Sequence, residues 1–501
     1  MVDSFDTPKL RGDAAAEVAH PRRPGIVAVP GDMDRTRPVP DPGSAVGEGA
    51  RGGVQLSIWE LAWPSILTNL LFSSIGIVSI KVVATLGPAA AAAVTVGNQI
   101  FFTLQAVMMA VSVGTTALVA RAWGAKEYDE AIRTTVTSLA LGTGVALVLT
   151  LPVVIWATPI AGLFGLGAAA SEMAGDFIRW LAVFNVAFAV NFIMSAALRA
   201  VGDARTPMWI GVGTNVISLV GLYVLVFGHF GFPALGVKGA AIANGFAFGM
   251  AGAVFMLLWM MGRLKLEFRA REMRQAFDRE RVRRLLHIGY PAALEQGVFR
   301  LGFFVFLGII GHYYGTAAFA AYGIGVNILS LCFVVGFGFS IAGSTLVGQN
   351  LGAGNPEAAT ESGWRALRFA TGSMVLLGVA IIIAARPIAE FMIDDAEVVD
   401  YTISFIYILG AVQPLMAVEF ALGGALRGAG DTRYPLKATM AGLLGMRCVL
   451  AVAFALLGLP VEWVYAALIA DYALKAWMLT QRFRSGRWRT LVPTEAIRSG
   501  V

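Results

Sequence analysis

Glu295 and Glu419 each stand inside an apolar run long enough to cross a membrane. A charged side chain near the centre of a bilayer costs ~2.5 kcal/mol or more, so an ionisable group there is by default a functional candidate. Carboxyls in dry cavities hold protons more firmly than in water, whereas a nearby cation favours the ionised form. One such group can therefore exchange a proton for an organic cation. The other use of a buried carboxylate is a structural ion pair or hydrogen bond between helices. Arg300 follows Glu295 by five residues, a spacing that does not stack on one helical face as i+4 would. It is a candidate partner for Glu295, for Glu419 across helices, or for an anion. Asp471 and Lys475 are at i,i+4 in the last apolar run and read as a local pair. Lys81, near the end of the first run, reads as a side chain snorkelling to the interface.

The same runs hold uncharged polar groups: Asn98, Gln99, Gln105, Asn185, Asn191, Asn215 and Gln296. In hydrocarbon each needs a partner, which places them toward the bundle interior, where some line a cavity. Met108, Met109 and many phenylalanines suit a pliable apolar wall. Cys332 and Cys448 lie in apolar stretches and form no disulfide framework, and the four histidines have no metal-ligand spacing.

These groups are carried by a chain of 501 residues that is 57% hydrophobic and only 14% charged. A soluble protein is nearer a quarter charged, so lipid must be the solvent for much of this surface. The net charge of +6 resides in loops between apolar runs, which fits membrane topology rather than nucleic-acid binding. Apolar runs predict spans near 57–84, 90–120, 132–156, 173–198, 208–228 and 236–261, then 285–311, 318–348, 361–385, 399–426, 436–458 and 463–481. The fold class is all-α integral membrane, about twelve transmembrane helices in two six-helix lobes.

Lys and Arg set the orientation. The segment 263–284 carries nine of them, and with it in the cytoplasm the clusters Arg121/Lys126, Arg199/Arg205, Arg427/Arg433 and Arg482–Arg489 also fall inside. The expectation is a multi-pass cell-membrane protein with both termini cytoplasmic. Residues 1–54, rich in Pro, Gly and mixed charge, read as a disordered tail. The first lobe spans 55–262, a linker 263–284, the second lobe 285–482 and a second tail 483–501.

The two lobes are copies. ALRAVGDARTP at 197–207 returns as ALRGAGDTRYP at 425–435, an offset of 228 residues. At that offset Gly87 meets Gly315, Gly97 meets Gly325, Gly124 meets Gly352 and Asn191 meets Glu419; Pro64 and Pro291 match with one residue of slippage. Six is an even number of spans, so the halves are parallel repeats, a transporter architecture with the substrate path between lobes.

At these residues the chain resembles the multidrug and toxic compound extrusion (MATE) family, whose superfamily also holds polysaccharide and lipid-linked precursor flippases. The resemblance covers about residues 56–485. It rests on LAWPSIL at 61–67 and IGYPAAL at 288–294, on the LRxxGD loops at 198–203 and 426–431, on LVGQNLGAGNPEAA at 346–359, and on FGFPALGVKGAAIAN at 230–244. It implies export of amphipathic, cationic small organic compounds driven by inward H⁺ or Na⁺, with no other cofactor, by a monomer. Many relatives carry an acid in a GxVD context in the first helix and another polar group in the fifth. Here those places hold Ser79 and Leu222, which moves the expected coupling site to the second lobe. The expected cation-coupling or substrate-binding residues are Glu295, Glu419, Arg300, Asn191 and Gln296.

An enzyme reading has little support. Gly428-Ala429-Gly430-Asp431 matches the GxGD string of intramembrane proteases, but that chemistry needs a second facing aspartate, and Asp431 lies in a short loop like its mate Asp203. No GxxxxGK[ST] string occurs, so no ATP-driven step is indicated. The serious alternatives are a flippase for a lipid-linked precursor, which needs a basic cavity, and an exporter of an endogenous metabolite. Arg300 is the residue that favours the flippase.

Overall fold

The computed structural model describes residues 57–267, 269 and 278–491. The expected tail 1–54, much of the linker and residues 492–501 lie outside the described residues. The described residues form helices joined by short turns: α1 (Ile58–Ala84), α2 (Pro88–Gly124), α3 (Tyr128–Ile155), α4 (Ala157–Gly162), α5 (Ala168–Val183), α6 (Asn185–Ala200), α7 (Arg205–Phe227) and α8 (Gly236–Met260) in the first lobe. The second lobe holds α9 (Arg279–Gly352), α10 (Pro356–Ile383), α11 (Ala385–Met392) and α12 (Ala396–Gly428). It closes with α13 (Arg433–Thr439), a π-helical segment (Met440–Cys448), α14 (Val449–Leu456) and α15 (Val461–Arg484).

Among the described residues nine helices are long and apolar enough to span a bilayer, counting Arg433–Leu456 as one, and the α5–α6 pair, bent by 53°, makes a tenth. The 74 residues of α9 are two spans, because Gly315 at φ 78° and ψ −168° breaks the helix. That backbone suits glycine alone. Its repeat mate Gly87, φ 115°, makes the α1–α2 turn. Counted with α15, which carries Asp471 and Lys475 in mid-helix, the spans number twelve in two lobes, as the sequence predicts. The outer faces present Val148, Leu151, Leu376, Ile383 and Leu456, all more than 60% exposed, a surface suited to lipid and not to water.

The lobes meet where α1, α2 and α6 pack on α9. A Cβ on Gly114 would lie 2.8 Å from the Leu285 carbonyl oxygen, one on Gly289 2.4 Å from that of Ala110, and one on Gly338 3.0 Å from that of Ala62. Small residues thus bring the helix backbones into contact, the usual device where lipid supplies no hydrophobic drive. The tightest crossing is at the end of the bundle bearing the basic loops. There Gly124 packs against the Gln349 carbonyl and Gly352 against that of Arg121, while Gln349 Nε2 donates to Ala200 O at 2.6 Å and Thr345 Oγ1 to Arg199 O at 3.2 Å.

After α15 the chain does not leave the lobe at once. A 3₁₀ turn at Arg487–Thr490 buries Trp488, which stacks on Phe483 at 4.8 Å and donates its indole N–H to Phe483 O at 2.8 Å.

Candidate functional site

Glu295 sits one turn beyond Pro291 in the first limb of α9 and is buried. Both its oxygens are occupied. Arg427 Nη2, from the last turn of α12, donates to Oε1 at 2.6 Å, and its Nε approaches Oε2 at 3.4 Å. Thr439 Oγ1, at the end of α13, donates to Oε1 at 3.2 Å. Three helices thereby hold one carboxylate, with the two-point geometry that a guanidinium offers and an ammonium does not.

Glu419 lies two turns before Arg427 on α12. Its Oε1 is 3.4 Å from Lys475 Nζ, while Oε2 is buried and lacks any hydrogen-bond donor. Lys475 is shared: its Nζ is also 3.2 Å from Asp471 Oδ1, and Asp471 Oδ2 is 2.5 Å from Arg447 Nη2. These contacts are ion pairs by distance without hydrogen-bond alignment, so both Asp471 oxygens remain unsatisfied as acceptors. Asp471 and Lys475 are 0% and 1% exposed. The two cations also lie over aromatic rings, Arg447 near Phe306 and Tyr472 and Lys475 near Tyr472, which spreads their charge over polarisable faces.

The π-helical segment explains how α15 comes so close. A Cβ on Gly442 would fall 2.3 Å from Asp471 Oδ1, and Arg447, five residues later, pairs with the same carboxylate. Residues five apart share a face only when the turn widens to i→i+5. The repeat mate α7 is regular α-helix throughout, so this device belongs to the second lobe alone.

Glu295, Gln296 and Glu419 line one cavity of about 130 Å³ with Met109 and Val113 of α2, Phe299, Phe333 and Phe337 of α9, Phe420, Arg427 and Thr439. It lies between the lobes, with Met109 and Val113 from the first and the carboxylates and phenylalanines from the second. The cluster behind it is charge-balanced, with Glu295, Glu419 and Asp471 against Arg427, Arg447 and Lys475. A second cavity of about 140 Å³ adjoins it, sharing Met109, Val113, Phe337 and Arg427. Among the described residues no group of His, Cys, Asp and Glu is placed to hold a metal ion by protein ligands alone.

The expected site residues divide. Glu295, Glu419 and Gln296 come together on the first cavity. Arg300 joins neither carboxylate: its Nη2 donates to the carbonyl of Phe102 in α2 at 3.1 Å. The five-residue offset turns it from Glu295 toward the other lobe, and Arg427 and Lys475 take the acids instead. Asn191 packs in α6 with its Oδ1 3.4 Å from Ser195 Oγ and is not on the wall of either cavity. The Asp471–Lys475 pair exists but extends, through Glu419 and Arg447, into the larger cluster. Sequence reasoning left Arg427 in a loop cluster and passed over Arg447 and Thr439. Arg447 was detectable as a charge in the middle of the eleventh apolar run.

In the first lobe Ser79 is fully buried. Asn244 Nδ2 donates to its Oγ at 2.9 Å, and Ser218 Oγ donates to Asn244 Oδ1 at 2.6 Å. This neutral triad satisfies itself, and Leu222 packs in the apolar core beside it.

Both halves of the chain, residues 64–224 and 291–453, match the MatE family model. The Thermotoga maritima protein named "Probable multidrug resistance protein NorM" is 30% identical over 449 residues, covering 87% of this chain and 93% of that protein. The multidrug resistance protein NorM of Burkholderia vietnamiensis is 28% identical over 397 residues, 77% of this chain and 84% of its own. Among solved structures, an outward-facing multidrug resistance MATE family transporter of the MOP superfamily superposes with a TM-score of 0.80 at 20% identity, over 86% of this chain and 96% of that one.

Proposed function

This chain belongs to the MATE family of membrane transporters, and from that premise we propose that it is a multidrug efflux antiporter. It exports amphipathic organic cations in exchange for H⁺ or Na⁺ by alternating access. It sits in the cell membrane with its basic loops and termini in the cytoplasm. The observation that carries this reading is the charge-balanced cluster opening through Glu295 and Glu419 into an aromatic cavity between the lobes.

A neutral cluster accepts one added cation more readily than two. Two added unit charges about 8 Å apart repel by ~2 kcal/mol at an effective dielectric of about 20, roughly a thirtyfold penalty. Coupling cation and substrate cation therefore exclude each other, and exclusion at one site is what antiport needs. Glu419 is the acceptor, because its Oε2 lacks a donor while both oxygens of Glu295 are held. Glu295 responds through Arg427. The first lobe contributes no acid to this exchange, its triad being neutral. In the other half of the cycle the crossing of α2 over α9 at the basic end opens.

Efflux of a fluorescent organic cation from proteoliposomes, under a pH gradient and a Na⁺ gradient imposed separately, tests this. The wild type moves the cation with one gradient, and Glu419→Gln loses gradient-driven efflux. Gradient-driven efflux surviving in both Glu419→Gln and Glu295→Gln removes the assignment.

A further inference from the structure

The second cavity has a chemistry of its own. Arg199 and Arg427 line it with Asn69, Ser112, Thr116, Ser340 and Ser344, and its wall holds no carboxylate. The two arginines are mates in the internal repeat, at the offset of 228. Their surroundings differ. Arg427 has Glu295. With the register that aligns Pro64 and Pro291, the residue corresponding to Glu295 is Thr68, whose hydroxyl is spent on Pro64 O at 2.7 Å.

Arg199 is consequently left without an acid. Among the described residues its guanidinium has no ion pair and no hydrogen bond; its backbone carbonyl accepts from Gly202 N and Thr345 Oγ1. Its position in the last turn of α6 sets the charge against the negative end of a helix dipole, a partial compensation worth a fraction of a full counter-charge. A half-buried guanidinium facing hydroxyls and an amide is a receptor waiting for an anion. Because this cavity shares Met109, Val113, Phe337 and Arg427 with the one holding Glu295 and Glu419, one ligand can span both.

We propose that Arg199, with the hydroxyls around it, binds the carboxylate of a zwitterionic substrate whose cationic end lies at Glu419. This rests on the reading of Glu419 as the cation acceptor and names the substrate class more narrowly. A zwitterion adds no net charge to the balanced cluster, and its carboxylate gives Arg199 the counter-charge that Glu295 gives Arg427.

Isothermal titration of the detergent-solubilised full chain with 4-(trimethylammonio)benzoate and with its methyl ester tests the proposal. The two probes differ only in the carboxylate, so the wild-type comparison needs no variant. A charge-assisted hydrogen bond of this kind corresponds to roughly tenfold or more in affinity. The wild type should prefer the zwitterion by about that factor. Arg199→Gln should erase the preference without weakening the ester, and Arg199→Lys should restore part of it. Equal binding of the two probes by the wild type, or an unchanged preference in Arg199→Gln, overturns the proposal. Sodium acetate or inorganic phosphate binding through Arg199, without any preference for the zwitterion, makes this a free-anion site and also overturns it. Ester binding that is lost in Glu419→Gln while the wild type shows no zwitterion preference leaves the cation reading standing and this one fallen. Arg199-dependent zwitterion binding that survives Glu419→Gln in full keeps the carboxylate at Arg199 but overturns the placement of the cationic end at Glu419.

Discussion

Replacing Gly352 with alanine should pry the lobes apart at the basic end and change which side of the membrane reaches the cavity. The added Cβ would lie 1.9 Å from Arg121 O and 3.0 Å from Ala125 N, both backbone atoms of the opposite lobe. A comfortable carbon–oxygen approach is about 3.3 Å, so the helices must part by roughly 1.4 Å. No side chain can yield in their place. Overpacking of this kind costs about 1–3 kcal/mol. Here it falls on the conformer with the crossing closed and is relieved when the lobes separate, a shift of roughly 5- to 150-fold toward the open form. Gly372→Ala is the control, since nothing lies within 4 Å of the position a Cβ would take there. The reporter is a cysteine in place of Ser344, on the wall of the second cavity, labelled by a membrane-impermeant maleimide added from the side of the basic loops; the native Cys332 and Cys448 are buried. Labelling should accelerate at least fivefold in Gly352→Ala and not in Gly372→Ala. Equal labelling rates in the two variants would refute the view that this crossing is the gate.

Two other substitutions separate the cluster from the rest of the lobes. Lys475→Met takes from Glu419 its ion-pair partner while Asp471 keeps Arg447, and removing one partner of a buried ion pair costs about 3–5 kcal/mol; thermal unfolding in detergent should show a large loss, largely recovered when Glu419→Gln is added, and absence of recovery would mean that Lys475 acts through packing alone. Ser79→Ala leaves a buried Asn244 amide without its acceptor, at about 1–3 kcal/mol, so stability should fall while the ion dependence of efflux stays that of the wild type. A changed coupling ion would return the first lobe to the mechanism.

Much of the molecule is legible in one dimension because the solvent is lipid. A bilayer demands about twenty apolar residues per crossing, so the spans could be placed within a few residues. Even the break between the seventh and eighth, which the continuous helix from Arg279 to Gly352 conceals, is marked by Gly315 and its mate Gly87. The repeat fixed the two lobes, and the cost of a charge in hydrocarbon singled out Glu295 and Glu419. Partners were not legible in the same way. Helical spacing relates residues only to neighbours three or four positions away, whereas Glu295 meets Arg427 across 132 positions and Lys475 meets Glu419 through the approach of α15 to α12.

Local sequence also could not show that a π-helical turn would bring Gly442 and Arg447 onto one face. Nor could it show that the same arginine of the repeat would find a glutamate in one lobe and only hydroxyls in the other. What the sequence determined by itself was the membrane setting, the spans, the repeat and the existence of costly buried charges, since each follows from the chain's own composition against its solvent. Only the tertiary structure decided which charges neutralise one another and which are left without a counter-charge, because compensation depends on distances between helices that the order of residues does not encode.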